Sequence, residues 1–470
     1  MAREVEIKFA CTAGTLEALV ARAFTGPGRD RRLVSTYYDT PETALAARGA
    51  SLRLRTDGTG RTVQTLKTGQ GLGRQEIEAD TAPGRLDRDW PGLAALLSPA
   101  EIAGLAPRFT VQVRRRSCEV VRGASRIELA LDQGEILAGD ARETVCEAEL
   151  ELLSGEPGDL FGLALDLAAD LPLTLSLRTK SERGDRLASG GFRDTPLPVG
   201  LSCGEALRHG LLAALSGTCA RVLEAAADPA PEAVHALRVA LRRQRSLLSV
   251  FRRRLEPAET LALRRSLQAL SRACGATREL DVLLTGTDPA GALYAELSAA
   301  RRAAAARLVL ALGSAPARRT LLEALILTEA GAWRGTPANS ATAAGLADDL
   351  ARRWRRIRRL GVRYDALDIG ERHDLRLRIK ALRYALEGLD LPDWAGVRTA
   401  FVPALRVAQE ALGTANDAEA AQVRLAGLDL SRTARKEAGR LVARLRRRGA
   451  RAHAGRAVRR LLEASGRSFT

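Results

Sequence analysis

The sequence predicts two units of different class. Residues 1–196 read as an α+β unit dominated by antiparallel strands, and residues 197–470 as an all-helical unit built on a duplication. Three observations carry this. Up to residue 196, apolar and polar residues alternate in short runs, the period of a strand with two unlike faces. Beyond it, apolar residues recur at three- and four-residue spacing almost without a break, which is helical. The charge also steps: residues 1–196 carry 26 Lys+Arg against 29 Asp+Glu, and residues 197–470 carry 47 against 27, for a net +17 overall.

In the first unit, strands are predicted over residues 4–9, 51–55, 62–67, 74–78, 126–132 and 146–152, each bounded by Gly, Asp, Thr or Pro. Helices are predicted at 13–24, 86–97 and 157–169, and the stretch 190–198 as a linker. In the second unit, amphipathic helices are predicted near 204–226, 231–254, 257–274, 278–285, 289–312, 316–330, 341–360, 371–389, 393–412, 415–426, 431–448 and 450–464. The repeat lies here. His235, Arg238, Arg242 and Arg245 stand at offsets 0, 3, 7 and 10, and His373, Arg376, Lys380 and Arg383 stand at the same offsets. At 100° per residue each set spans about 80° of a helix, so each forms one polar stripe. Asp281 and Asp417 follow their histidines by 46 and 44 residues. A duplicated helical unit follows.

Composition narrows the function. With 46% hydrophobic residues the chain can bury a core, and disorder is excluded as its general state. Six scattered cysteines without a C-x-x-C pair suggest neither a zinc site nor a disulfide framework. The polar opening is no signal peptide, and no run approaches the roughly 18 apolar residues of a membrane span. A cytoplasmic protein without a membrane partner is expected. The excess charge of the helical unit calls for a polyanion. Its tryptophans are only Trp333, Trp354 and Trp394, too few stacking platforms to favour single-stranded nucleic acid.

The strands carry the more specific signal, because the signs of their charges segregate by row. Glu4 and Glu6 lead to Lys8 on one face of the first strand; Glu147, Glu149 and Glu151 form an acidic row, Glu76 and Glu78 another, and Glu128 and Asp132 a fourth. Arg53 with Arg55, Thr65 with Lys67, and Arg114 with Arg116 form basic rows. Ordinary exposed faces mix signs within a row. Segregation fits strands closed into a barrel with charged faces inward, where acids need divalent cations and bases need an anion. Carboxylates, Mg²⁺ or Mn²⁺ and Arg/Lys clamps together suit phosphoryl transfer. Gly69-Gln70-Gly71-Leu72-Gly73 lacks the Lys-Ser/Thr of a P-loop and reads as a strand connection.

Glu4-Val5-Glu6-Ile7-Lys8 resembles the E-x-E-x-K opening of the CYTH domain, the triphosphate tunnel metalloenzymes. Tyr37-Tyr38-Asp39-Thr40, Leu52-Arg53-Leu54-Arg55, Lys67, the segments 127–135 and 146–152, and Lys180-Ser181-Glu182-Arg183-Gly184 extend the likeness in order. The resemblance implies an eight-stranded antiparallel tunnel that hydrolyses or cyclises triphosphates with Mg²⁺ or Mn²⁺. It implies metal ligands at Glu4, Glu6, Glu149 and Glu151, with Glu128 and Asp132 for a second metal or for orienting water. It implies a triphosphate clamp of Lys8, Arg53, Arg55, Lys67, Arg116, Lys180 and Arg183, the run 114–116 leaving the register open.

The helical unit resembles the CHAD domain through Val234-His235-Ala236-Leu237-Arg238, Arg242-Arg243-Gln244-Arg245, Arg278-Glu279-Leu280-Asp281, His373-Asp374-Leu375-Arg376, Lys380-Ala381-Leu382-Arg383-Tyr384 and the segment 409–417. That resemblance implies two four-helix units around a basic pore that binds inorganic polyphosphate, on His235, Arg238, Arg242, Arg245, His373, Arg376, Lys380 and Arg383. The expectation is an inorganic triphosphatase: a CYTH tunnel over 1–196 cleaving tripolyphosphate, a CHAD domain over 197–470 holding long-chain polyphosphate, and a place at polyphosphate granules. Alternatives are a granule scaffold with an inactive tunnel, or an adenylyl cyclase or thiamine triphosphatase of the same tunnel family.

Overall fold

A computed structural model describes residues 2–24, 28–69, 71–191, 200–389, 391, 394–448 and 451–464. Residues 192–198 of the expected linker lie outside them. The chain divides into two compact units, Met1–Pro196 with Leu321–Glu329, and Leu197–Thr320 with Ala330–Thr470.

The first unit is a closed antiparallel barrel. Strands β1 (Ala2–Ala10), β2 (Arg29–Asp39), β3 (Ala50–Asp57), β4 (Thr62–Thr68), β5 (Gly73–Thr81), β6 (Ala106–Arg122), β7 (Ser125–Ala138) and β8 (Ala141–Ser154) pair in the order β5-β4-β3-β2-β6-β7-β8-β1. Pairing of β1 with β5 shuts the ring. The far edge of β1 is shared: Ala2–Val5 pair with β5, and Lys8–Ala10 with the short β9 (Thr174–Ser176).

Alternation gives the inner face its charged rows, and the same face of β2, β6, β7 and β8 continues into a buried apolar cluster of Tyr37, Phe109, Val111, Val113, Ile136 and Val145. Ile7, Phe9, Leu129, Leu131 and Leu150 are fully buried on the outer wall. There β8 is covered by α1 (Ala13–Ala23) and, after three short helices α2 (Ala44–Ala47), α3 (Pro91–Ala94) and α4 (Pro99–Ala103), by α5 (Pro157–Asp170). On another side Leu52 and Leu66 pack with Leu45, Leu93 and Leu97 of the short helices and their loops. The helix expected at 86–97 shrinks to Pro91–Ala94, because Pro91 can only begin a helix and Pro99 begins the next. Helix α6 (Lys180–Ser189) starts on a reciprocal Thr179/Glu182 cap and packs on β6, β7 and β8. Its approach depends on Gly184, where an added Cβ would sit 2.1 Å from the Phe109 ring.

The second unit is helical: α7 (Cys203–Ala227), α8 (Pro231–Val250), α9 (Pro257–Thr285), α10 (Ala292–Leu312), α11 (Ala315–Ala330, of which Leu321–Glu329 group with the first unit), α12 (Pro337–Ser340), α13 (Gly345–Val362), α14 (Ile369–Gly388), α15 (Ala395–Ala426), α16 (Arg432–Arg448) and α17 (Arg451–Ala464). The stripe helices α8 and α14 pack on each other. Helix α8 also packs on α7 and α9, and α14 on α13 and α15. Leu280, Leu297, Leu425 and Leu441 join α9, α10, α15 and α16 in one core. Two expected breaks are absent: α9 runs through Gly275 and α15 through Gly413. Among the described residues α7 alone has the length and apolarity to cross a membrane, and half of that stretch is buried.

Candidate active site and basic groove

The inward face of the barrel gathers nearly all the sequence-predicted tunnel residues. Cross-strand register sets Lys8 opposite Glu149, Glu6 opposite Glu151, Glu151 opposite Glu128, and Lys67 opposite Glu76. Lys67 Nζ donates to both Glu4 oxygens at 2.7 and 2.9 Å and lies 3.1 Å from Glu76. Lys8 bonds Glu6 and, at 3.1 Å, Glu149. From the head of α6, Lys180 reaches Asp132, Glu147 and Glu149 at 2.7–2.8 Å, and Arg183 binds Glu147 and Glu143. Arg53 lies 3.5 Å from Glu76 and 3.9 Å from Glu78, so spacing could not choose between two acids that share one face.

One expected clamp residue is corrected. Arg116 turns outward to Glu17 at 2.8 Å, and Arg114 to Asp30. Arg115, of the opposite parity, donates to Asp132 at 2.6 and 2.7 Å and to Glu149. A strand admits one parity to each face, and Arg115 stands directly opposite Asp132. The sequence-derived site also left out Glu147 and Glu143, which take Lys180 and Arg183. Glu147 belonged to a recognised acidic row, so its inward position was readable from parity.

Most interior charges are answered by an opposite one; among the described residues Arg55, Glu128 and Glu151 are not, Glu128 meeting only the Ser117 hydroxyl. Among the described residues Arg55 pairs with no carboxylate; its Nε donates to Ser35 Oγ at 3.3 Å. Burial and the neighbouring Arg53 and Arg115 push it down to about 10. Glu151 has no ion-pair partner among the described residues either. Burial and the carboxylates of Glu4, Glu6 and Glu128 push it up to about 7. By contrast Glu149, ringed by Lys180, Lys8 and Arg115, is held well below the usual carboxylate range despite its burial. Asp132, fully buried, is lowered to about 2 by Arg115 and Lys180 against its own burial.

These shifts sort the six expected metal ligands. Asp132 and Glu149 are occupied by lysines and Arg115. Glu4, Glu6, Glu128 and Glu151 form an acid-rich side, with Ser117 donating to Glu128 at 3.2 Å. Among the described residues no three such side chains converge closely enough to hold an ion as they stand. The donor set nevertheless suits a hard divalent cation: hard carboxylate oxygens, with Glu128 and Glu151 left without a basic partner among the described residues.

The helical unit brings the two stripes together across the α8–α14 contact. Lys380 is pushed down to about 7 by burial and by Arg242, Arg376, Arg238 and Arg383. Burial and Arg278, Arg242 and Arg238 lower His235. A cavity of about 930 Å³ between α8, α14 and α15 includes His235, Arg242, Arg383, Arg398 and Arg406 in its lining. A second, about 170 Å³, runs between α8 and α9 beside Arg238, Arg242, Arg245 and Arg272. His373 is exposed and lines neither. Asp281 pairs with Arg301 at 2.9 Å rather than with a stripe residue, whereas Asp417 faces Arg376 and Lys380. Gly275 and Gly413 each stand 40 residues after a stripe histidine. An added Cβ would lie 3.3 Å from Arg238 Nη1 at Gly275, and 3.5 Å from Arg376 Nη2 at Gly413. The helix-interior glycines thus admit equivalent arginines, a spacing signal open to the sequence and not used.

Comparison with known proteins agrees with this division. The CYTH domain family model matches residues 2–184 and the CHAD domain model residues 209–426. An inorganic triphosphatase of Haemophilus influenzae is 31% identical over 201 residues, covering 41% of this chain and 57% of that protein, so the chain spans little more than half of that curated relative. Among solved structures, a CHAD domain from the plant Ricinus communis is 23% identical over 57% of this chain and 95% of its own, with a TM-score of 0.48. HpAC1 of Hippeastrum, described as an adenylyl cyclase with a dominant triphosphatase activity, is 16% identical over 41% of this chain and 98% of its own, with a TM-score of 0.32.

Proposed function

Starting from a chain that joins a CYTH domain to a CHAD domain, we propose that the tunnel hydrolyses inorganic tripolyphosphate to pyrophosphate and phosphate with Mg²⁺ or Mn²⁺. One observation carries the reading: among the described residues the tunnel leaves a guanidinium unanswered at Arg55 and neighbouring carboxyls unanswered at Glu151 and Glu128. A phosphate beside Arg55 and a cation beside Glu151 would complete both.

Arg55, Arg53 and Arg115 would take the phosphate oxygens through charge-assisted hydrogen bonds and orient the phosphorus. Lys8, Lys67 and Lys180 would exchange a carboxylate for a phosphate, each lending a point charge to the negative charge that builds as the bond breaks. That exchange frees Glu4 and Glu6 to join Glu151 and Glu128 as the residues that would hold the ion. When bound, the divalent ion supplies charge neutralisation and a more acidic water. The buried Asp132 and Glu149 would keep Arg115 and Lys180 in place.

A substrate panel of tripolyphosphate, ATP and thiamine triphosphate, with Mg²⁺, Mn²⁺ or chelator, tests this. Tripolyphosphate should be preferred, and Glu6→Gln and Arg55→Ala should each remove most turnover. Full turnover in chelator refutes the metal role, and preference for an organic triphosphate refutes the substrate.

For the helical domain the proposed ligand is long-chain inorganic polyphosphate. Two converging stripes around Lys380 support it, lining cavities where arginines outnumber acids. A cytoplasmic location at polyphosphate granules goes with that reading. Nucleic acid at matched phosphate concentration and salt is the competitor that tests it.

A further inference from the structure

The α8 stripe has a fifth position. Offsets 0, 3, 7 and 10 continue to 14, which is Ser249, in the last turn of α8 and within the same 80° sector. Serine cannot supply a charge, yet one is there. Arg353 of α13 donates Nη2 to the Ser249 carbonyl and, at 3.2 Å, to Ser249 Oγ. Beyond it the positive groups go on. Burial, then Arg252, Arg356, Arg378 and Arg264, push Arg353 down to about 10, so it stays protonated at neutral pH. Arg264 also contributes to the positive field at Arg245, the fourth stripe residue, as it does at Arg353. Asp349 is held by Arg254 and Arg352, and Asp374 by Arg378.

The second stripe ends differently. Offset 14 from His373 is Glu387, which takes Arg383 at 2.5 Å and Arg406 at 3.5 Å. Where the first repeat gains a cation from a neighbouring helix, the second spends its last stripe cation on an acid. The duplication has become asymmetric at the one position that decides whether an anion track continues.

We infer that the polyanion path of the helical unit runs on past Arg245 to a further phosphate subsite formed by Arg353 with Arg264, and that it stops at Glu387 on α14. The inference rests on the polyphosphate reading above. From His235 to Ser249 the extended track measures about 21 Å along α8, at about 1.5 Å per residue.

The test is equilibrium binding of long-chain inorganic polyphosphate to the full chain in chelator, across a salt series. Arg353→Gln removes the charge while leaving a polar side chain beside Ser249. It should weaken binding on the order of fivefold and reduce the slope of log affinity against log salt by about one contact. Arg264→Gln, whose side chain does not hold the end of α8, should do the same and serves if Arg353→Gln fails to fold. Glu387→Gln should tighten binding by a similar factor. Arg242→Gln reports on the parent reading. If it weakens binding while Arg353→Gln and Arg264→Gln bind as wild type, the extended subsite is wrong and the groove stands. If Arg242→Gln also binds as wild type, the polyphosphate reading itself is wrong.

Discussion

Adding long-chain polyphosphate to this protein at pH 8 should draw protons from the buffer, and Lys380 is the group that takes them. Its amine sits at about 7 because it is buried and faces Arg242, Arg376, Arg238 and Arg383. At pH 8 about nine-tenths of such amines are neutral. Asp417 also faces it, its own carboxyl raised by burial against the pull of Arg376 and Lys380. Phosphates entering the groove reverse the local potential and return Lys380 toward its ordinary range near 10.5. Binding at pH 8 should therefore take up close to one proton, and at pH 6 about a tenth of one. Affinity should fall toward tenfold per pH unit above 7. The unliganded fold carries the opposite sign: a lysine depressed in the folded state costs stability fully below pH 7, and that cost is relieved as pH rises above it. Calorimetry in two buffers of different ionisation enthalpy measures the uptake. Lys380→Arg, permanently charged, should bind with that uptake lost. Wild-type binding without proton uptake at pH 8, or undiminished uptake in Lys380→Arg, refutes the reasoning.

Glu151→Gln should stabilise the metal-free protein at pH 8 by at most roughly 3 kcal/mol and leave it unchanged near pH 4.5, because the raised carboxyl costs stability only above its unfolded range. Urea midpoints in chelator measure this, and an equal gain at both pH values would point to packing instead. Arg115→Ala should lower tripolyphosphate turnover on the order of 10²-fold, while Arg116→Ala, turned toward Glu17, stays within about twofold. Steady-state rates separate them, and the reverse ranking would overturn the β6 register. Gly275→Ala should gain up to about 1 kcal/mol of helix stability yet weaken polyphosphate binding, since its methyl would press on Arg238. Melting and binding should move in opposite directions; parallel changes would mean that the glycine serves the helix alone.

Parity made most of the tunnel legible. Once Glu4, Glu6 and Lys8 share a face, the acidic and basic rows can meet only inside a closed wall, and they do. Where parity alone was insufficient, a distant strand decided: Asp132 on β7 selects Arg115 from a run of three arginines. The isolation of Arg55 and Glu151 was not readable either, because it depends on which neighbours each interior charge has already claimed. In the helical unit the stripes were plain from spacing. The two missing helix breaks were not, since a glycine that admits an arginine looks locally like one that ends a helix. Arg353 was beyond reach of periodicity, because it completes a stripe from a different helix.

The shared edge of β1 has a consequence for how the tunnel is made. Glu6 is partnered by Glu151, 145 positions later, and Glu4 by Arg74, 70 positions later. During synthesis the first strand waits as an open edge until two far segments emerge, the kind of long-range pairing that slows folding. An apolar edge left waiting would recruit other chains. This one presents Glu4, Glu6 and Lys8 on alternate positions, and inward charges are what discourage edge-to-edge association. The residues that equip the finished tunnel thus also keep the unfinished one from aggregating.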